Sequence, residues 1–231
     1  MHPLDRPVWA SLMTRLAPLS EGGELARRFD REVNLFASAR DDSEEALAAL
    51  AGLVQPGDRV FVLQVPEITV PRGLVAVKRA QGVQMVAMRA LEAAEASSGD
   101  REQPIEPLGE QDAPEMLALA QLTEPGPFLR RTHAMGAFLG VREQGRLVAM
   151  AGERFRLPGY TEVSGVCTHP DQRGRGLARR LSAAVAAGIQ ARGDQPFLHA
   201  WKSNAAAIAL YESLGFELRA EVNVAVLERL V

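Results

Sequence analysis

Hydrophobic and polar positions change period several times along this chain, and the changes mark out its elements. Leu177, Leu181, Val185 and Ile189 recur every four residues and predict a long helix from Leu177 to Ala191. The run before it, Thr161 to Thr168, reads as a central strand. Near the start, Ala26, Phe29, Val33 and Phe36 fall on one stripe and predict a helix over Glu24 to Ala39. A second helix is expected from Ser43 to Val54, opened by the Asp42-x-x-Glu45 capping pattern. β-rich runs follow at Asp58 to Val65, Leu74 to Lys78 and Val83 to Met88, separated by Pro and Gly. The small and polar stretch from Ala96 to Pro104 then reads as a linker.

Beyond that stretch the pattern gives a strand at Ile105 to Leu108 and a helix at Ala113 to Leu122. A loop through Glu124-Pro125-Gly126-Pro127 leads toward a short helix near Phe128 to Thr132, then strands at Gly136 to Arg142 and Arg146 to Arg156. After the long helix come a strand at Pro196 to Trp201, a helix led by Asn204, and a final β segment from Phe216 to Leu227. This order predicts an α+β fold. The expected division is an N-terminal α+β half (1–95), a linker (96–104) and a second domain (105–231). The first half offers no phosphate loop or catalytic cluster.

Composition narrows the function classes. A net charge of −3 over 231 residues, with no polybasic run, argues against a nucleic-acid or anionic-membrane surface. The one cysteine, Cys167, rules out a disulfide within the chain and fits a reducing compartment. Met1 to Leu19 carries Asp5, Arg6, Arg15 and three prolines, unlike a signal peptide or membrane span, so a cytoplasmic protein is expected.

The most informative segment joins the central strand to the long helix through His169-Pro170-Asp171-Gln172-Arg173-Gly174-Arg175-Gly176. Gly174 and Gly176 leave the backbone open to a close ligand, and the first helical turn has amide N–H groups without intrahelical partners. With Arg173 and Arg175 beside the positive end of the helix dipole, a pyrophosphate fits better than a carboxylate. A Walker A loop fails, because Leu177 and Ala178 stand where Lys and Ser or Thr are needed. The dinucleotide fingerprint fails at Arg179, which occupies the place of its third small residue.

The remaining pattern, Arg173-x-x-Gly176-x-Ala178 after a Val-x-x-His-Pro strand end, resembles the coenzyme A pyrophosphate loop of the GNAT N-acetyltransferases. The segment from Asn204 to Tyr211-Glu212-Ser213-Leu214-Gly215-Phe216 resembles that family's second signature. Ile105 to Met116 resembles its opening strand and helix, so the likeness spans roughly 103–231. The extra N-terminal half is similar to the FR47-like, or glycine N-acyltransferase-like, branch. The resemblance implies a mixed, mostly antiparallel central sheet flanked by helices, acetyl-CoA as cosubstrate, and direct transfer to a primary amine. It assigns cofactor contacts to Val166, Cys167, Thr168, Arg173, Gly174, Arg175, Gly176, Leu177, Ala178 and Asn204. It makes Tyr211 the acid that protonates the departing thiolate.

The base is read from period-two counting, which puts Glu162 on one face with Ser164, Val166 and Thr168. Glu162 is therefore expected to deprotonate the amine through water. Cys167 has no adjacent base and reads as a small buried hydrophobe rather than a nucleophile. His133, His169 and His199 lack metal-ligand spacing, so no metal is expected. The expected partners are acetyl-CoA and an amine acceptor, without nucleic acid or membrane, and a homodimer is allowed for. The alternative reading is a catalytically silent CoA-binding regulatory or interaction protein.

Overall fold

The computed structural model describes residues 2–89 and 103–229. Most of the predicted linker lies outside these residues. An eight-stranded sheet organises the molecule. Its strands are β4 (Arg59–Gln64), β5 (Leu74–Ala87), β6 (Ile105–Leu108), β7 (Phe138–Glu143), β8 (Arg146–Leu157), β9 (Tyr160–Thr168), β10 (Gln195–Trp201) and β11 (Phe216–Arg229). They lie in the order β4-β11-β5-β10-β9-β8-β7-β6. Only β9 and β10 run parallel; the other neighbours are antiparallel. A small antiparallel sheet is formed by β1 (Ser20–Gly22), β2 (Ala26–Phe29) and β3 (Ala37–Ala39).

Alternation along the strands separates two faces. Val83, Met85, Val163 and Leu198 pack under α4 (Leu177–Ala191) and α5 (Ala205–Ser213). Val86 and Phe197, one residue out of phase, pack with Phe155 against Leu4, Val8 and Leu12 of the N-terminal segment, which includes α1 (Pro7–Leu12). On β8 and β9, Met150 and Cys167 face α3 (Ala113–Thr123). Helix α2 (Glu44–Leu53) seals β4 and β11 through Ala46, Leu50, Val60, Val62 and Leu227.

Several expectations are corrected. The apolar stripe over Glu24 to Ala39 is a hairpin-like pair of strands, β2 and β3, and not a helix. Phe29, Val33 and Phe36 are buried there by the contacts of a turn, which a stripe count cannot distinguish from a helix. The cap of α2 is Ser43, whose hydroxyl accepts from the Ala46 amide, rather than Asp42. The two runs around Leu74 and Val83 are one strand, β5. The short helix expected near Phe128 to Thr132 is a 3-10 turn at Thr132–Met135. Elsewhere the expected elements stand, with α4 matching residue for residue.

The division into 1–95 and 105–231 does not separate two sheets. Strand β5 is an inner strand, paired with β11 over almost its whole length and with β10 from Gly82 to Val86. At Gly82 the approach is close enough that a Cβ would stand 2.8 Å from the Ala200 carbonyl oxygen. A fragment beginning at Pro104 would therefore expose both β10 and β11 edges and lose the segment that covers Phe155 and Phe197. We expect it to show no cooperative thermal transition by circular dichroism, whereas the full chain melts cooperatively.

Candidate active site

The parallel ladder between β9 and β10 is short. It holds Tyr160 against Gln195, Thr161 against Pro196 and Glu162 against Phe197, and then ends. Each strand keeps its other neighbour: β10 stays on β5 as far as Trp201, and β9 stays on β8 as far as Thr168. The two strands diverge, and their facing backbone groups have no ladder partner beyond the fork. β9 also carries an extra residue relative to β8 here, where Gly165 takes up a φ of 61°. A cavity of about 330 Å³ occupies the opening, lined by Val163 to Val166 on one side and His199 to Trp201 on the other. Its lining draws on both sheet faces: Ala178, Asn204 and Tyr211 from the α4 and α5 side, Phe36 and Arg154 from the N-terminal side.

At the end of β9 the chain crosses a 3-10 turn at Pro170–Gln172 into the glycine loop. Gly174 and Gly176 have φ of 78° and 74°, and among the described residues no atom beyond the local chain lies within 4 Å of where a Cβ would stand on either. Gly176 is the N-cap of α4, without a side chain to occupy the orphan amides. The loop is an open cradle of N–H groups at a helix N-terminus, and the residues fit a pyrophosphate. Its two arginines differ. Arg175 is tied to Glu143 at 2.9 Å and to Gln172, so it braces the loop from outside. Arg173 is exposed, with no such ion pair among the described residues.

The fork itself holds a buried charge cluster. Glu162 is fully buried, and both its oxygens are engaged by Arg154: Nε donates to Oε2 at 2.8 Å and Nη2 to Oε1 at 2.6 Å. His199 Nδ1 lies 2.6 Å from Oε1. The Phe155 amide, in the stretch where β8 slips register against β9, donates to Oε2 at 3.3 Å. On the far side of the ring, Gln84 Nε2 meets His199 Nε2 at 3.0 Å while also donating to the Leu4 carbonyl. Because Arg219 donates to Gln84 Oε1, the Gln84 amide presents its N–H to the imidazole. In this arrangement His199 Nε2 accepts from Gln84 and Nδ1 donates to Glu162.

Comparison with known proteins agrees with this geometry. Residues 138–225 match the family model described as FR47-like protein. A crystal structure of a GNAT-family protein from Novosphingobium aromaticivorans DSM 12444 is 45% identical, covers 100% of both chains and superposes with a TM-score of 0.90. The chain belongs to the GNAT family. A GCN5-related N-acetyltransferase from Kribbella flavida shares the fold at 18% identity, covering 96% of this chain and 95% of that one with a TM-score of 0.64. A mycothiol acetyltransferase from Thermobispora bispora is 48% identical over 56 residues, which span 24% of this chain and 19% of that protein. The matched stretch is therefore about a fifth of that relative's length.

In this GNAT protein the fork brings together Val166, Ala178, Asn204 and Tyr211. Asn204 caps α5, its side-chain oxygen accepting from the Ala207 amide at 3.1 Å, so its amide nitrogen is the part left for a ligand. The Cys167 side chain packs with Met116 and Leu119 away from the cavity, and burial pushes its thiol up to about 11. A nucleophilic role for it is excluded by both facts. The Thr168 hydroxyl is buried without a hydrogen-bond partner among the described residues. Leu177 is buried under the sheet and anchors α4 rather than lining the cavity.

Tyr211 is buried with its ring edge on Phe216, and its hydroxyl makes no hydrogen bond among the described residues. Burial, helped by the Glu162 charge, pushes it up to about 12, so it stays protonated. Glu162 departs from its expected role. Burial pushes its carboxyl up, but the Arg154 charge and hydrogen bonds, followed by His199, hold it at about 2. A carboxylate with both oxygens engaged and so low a proton affinity is a poor base, so the base role expected of Glu162 does not fit. It is a positioning group. Arg154, His199, Phe36 and Phe61 went unassigned in the sequence. The available signal was the charged stretch Glu153, Arg154 and Arg156 that follows the apolar run Leu147 to Ala151 in β8.

A folded-state pKa near 2, against an ordinary 4.5, makes the Glu162 contribution complete above about pH 5 and lost as pH falls from 4.5 toward 2. The difference corresponds to on the order of 3 kcal/mol. Glu162→Gln should lower the melting temperature at pH 7, because it strands a buried Arg154, and should flatten the acid side of the stability curve. Thermal melts of both proteins between pH 3 and 8 check this; equal stability at pH 7 would refute it.

Proposed function

We propose that this protein transfers an acetyl group from acetyl-CoA to a primary amine by direct attack within a ternary complex. The observation that carries this reading is the fork between β9 and β10, continuous with the glycine cradle at the α4 N-terminus and overlooked by an acid without a protein partner, Tyr211. Acetyl-CoA would supply an activated thioester. Residues Arg173 to Ala178 would hold its pyrophosphate, the unpaired β9 edge at Val166 to Thr168 its pantetheine amides, and Asn204 its arm. The fit is supported by the open space over Gly174 and Gly176 and by the unpartnered Thr168 hydroxyl.

In the transfer, the N–C bond forms as the C–S bond breaks, and Tyr211 gives its hydroxyl proton to the leaving sulfur. A phenol near 12 is a weak acid toward a thiol with an ordinary pKa of about 8.5. Its proton is drawn off as negative charge builds on the sulfur inside the cavity, where an unneutralised thiolate is costly. With Glu162 and His199 committed to each other, the amine loses its proton to water or to Glu124, an exposed carboxylate lining the cavity.

Two measurements test the reading. Gly176→Val should cost only about 1–2 kcal/mol of stability, from the left-handed backbone, because space is open around it. Its acetyl-CoA affinity by calorimetry should fall far more, since the new side chain stands where backbone and phosphate meet. Wild-type protein binding ATP or NAD more tightly than CoA would overturn the assignment.

Tyr211→Phe should preserve acetyl-CoA binding and melting temperature while slowing single-turnover transfer by about 10²–10⁴-fold. An unchanged chemical rate would remove Tyr211 as the acid. A wild-type protein that binds acetyl-CoA but releases no thiol with any acceptor would favour the silent CoA-binding alternative.

A further inference from the structure

If the protein is an acetyltransferase, as proposed above, the cavity wall on the N-terminal face of the sheet is where the acceptor is selected. That wall is made by Phe36, Phe61 and Leu63 with Val222 and Val224, the last four alternating on β4 and β11 so that they share one face. Arg154 enters from β8, its guanidinium carbon 5.0 Å from the Phe36 ring centre and 4.5 Å from that of Phe155. Two of its three nitrogens are occupied by Glu162. The third, Nη1, makes no hydrogen bond among the described residues and is not among the buried unpaired atoms, so it is open to a ligand. Glu162 cancels the Arg154 charge. Glu124 is the one carboxylate among the described lining residues, and it is exposed.

We infer that this compartment selects the primary amine of a small molecule with an aromatic or branched aliphatic body and a carboxylate or amide carbonyl oxygen received by Arg154 Nη1. An apolar wall rewards the body of such a molecule, and an analogue that lacks the oxygen shuts this donor away from water on binding and leaves it unpaired. A polyamine would bring extra cations to a wall with a single exposed acid and would leave them uncompensated. A cavity of about 330 Å³ that also receives the acyl end has room for an amino-acid-sized acceptor, not for a folded polypeptide segment.

The test uses the full chain with acetyl-CoA, following thiol release and, separately, calorimetric acceptor binding to the CoA complex. The panel is phenylalanine and leucine, their amides, 2-phenylethylamine, spermidine and a short lysine peptide. The expected result is kcat/KM for an amino acid or its amide at least about 10² above 2-phenylethylamine and spermidine, with binding in the same order. The acid and amide arms distinguish carboxylate from carbonyl recognition. Arg154→Lys keeps a cation beside Glu162 but removes the free guanidinium nitrogen. It should bring the advantage over 2-phenylethylamine to within about tenfold while acetyl-CoA affinity, which also reports folding, stays unchanged. Preference for spermidine or the lysine peptide, or no binding of any apolar amino compound to a protein that binds acetyl-CoA, overturns the inference and leaves acetyl transfer standing. Failure to bind acetyl-CoA sinks the underlying reading and the inference with it.

Discussion

Everything at the site depends on one buried carboxylate. Glu162 sits on the last paired position of the parallel ladder, and its two oxygens reach Arg154 on β8 and His199 on β10. It thereby fixes three strands at the point where two of them separate. Carboxylate geometry sets this arrangement: a bidentate guanidinium on one side leaves lone pairs for an imidazole and for the Phe155 amide freed by the β8 register slip. An ion pair of this kind contributes little net stability against an apolar replacement, because desolvation offsets the attraction. Removing one partner is costly, however. The cluster therefore acts as a clamp on strand geometry, holding the fork open.

The N-terminal segment is bound into the same network. Leu4 accepts from Gln84, Asp5 pairs with Arg219, and Arg219 holds the Gln84 amide that faces His199. A hydrogen-bonded path thus runs from the first turn of the chain to the fork. Strand β5 adds a second tie by filling the place between β11 and β10. The early residues thus build one wall of the cavity and stabilise the strand that forms another. This is why a segment with no chemical motif of its own belongs to the site.

Local signals were legible in the sequence; pairings across distance were not. The α4 period, the glycine loop and the Asn204 to Phe216 segment each specify their own geometry within about fifteen residues, and the structure has them where the pattern puts them. The stripe of Ala26, Phe29, Val33 and Phe36 misled because two short strands and the seven-residue connection between them bury the same positions as a helix does. The insertion of β5 had no local signature, since its partners β10 and β11 lie more than a hundred residues further along the chain. Glu162 was found by period-two counting, yet its role depends on Arg154, eight residues before it, and on His199, thirty-seven after it. Period-two counting identifies which side of a strand a residue occupies and carries no information about what arrives opposite.

The two-faced lining of the cavity also bears on the direct transfer proposed above. The cradle and Tyr211 belong to the α4 and α5 side, while Phe36 and Arg154 belong to the other, and the strands are parted between them. In the proposed transfer, donor and acceptor would meet at the fork from the two sides of this lining. A covalent relay would need a nucleophile at that meeting point, but the Cys167 thiol points into the α3 contact. Among the described lining residues, Tyr211, which holds a proton, reaches the cavity together with Ser164, Asn204, Glu124 and the Arg154 and His199 partners of Glu162. That set can orient an amine and protonate a leaving group. Both tasks serve a single displacement, in which the bound geometry supplies most of the advantage.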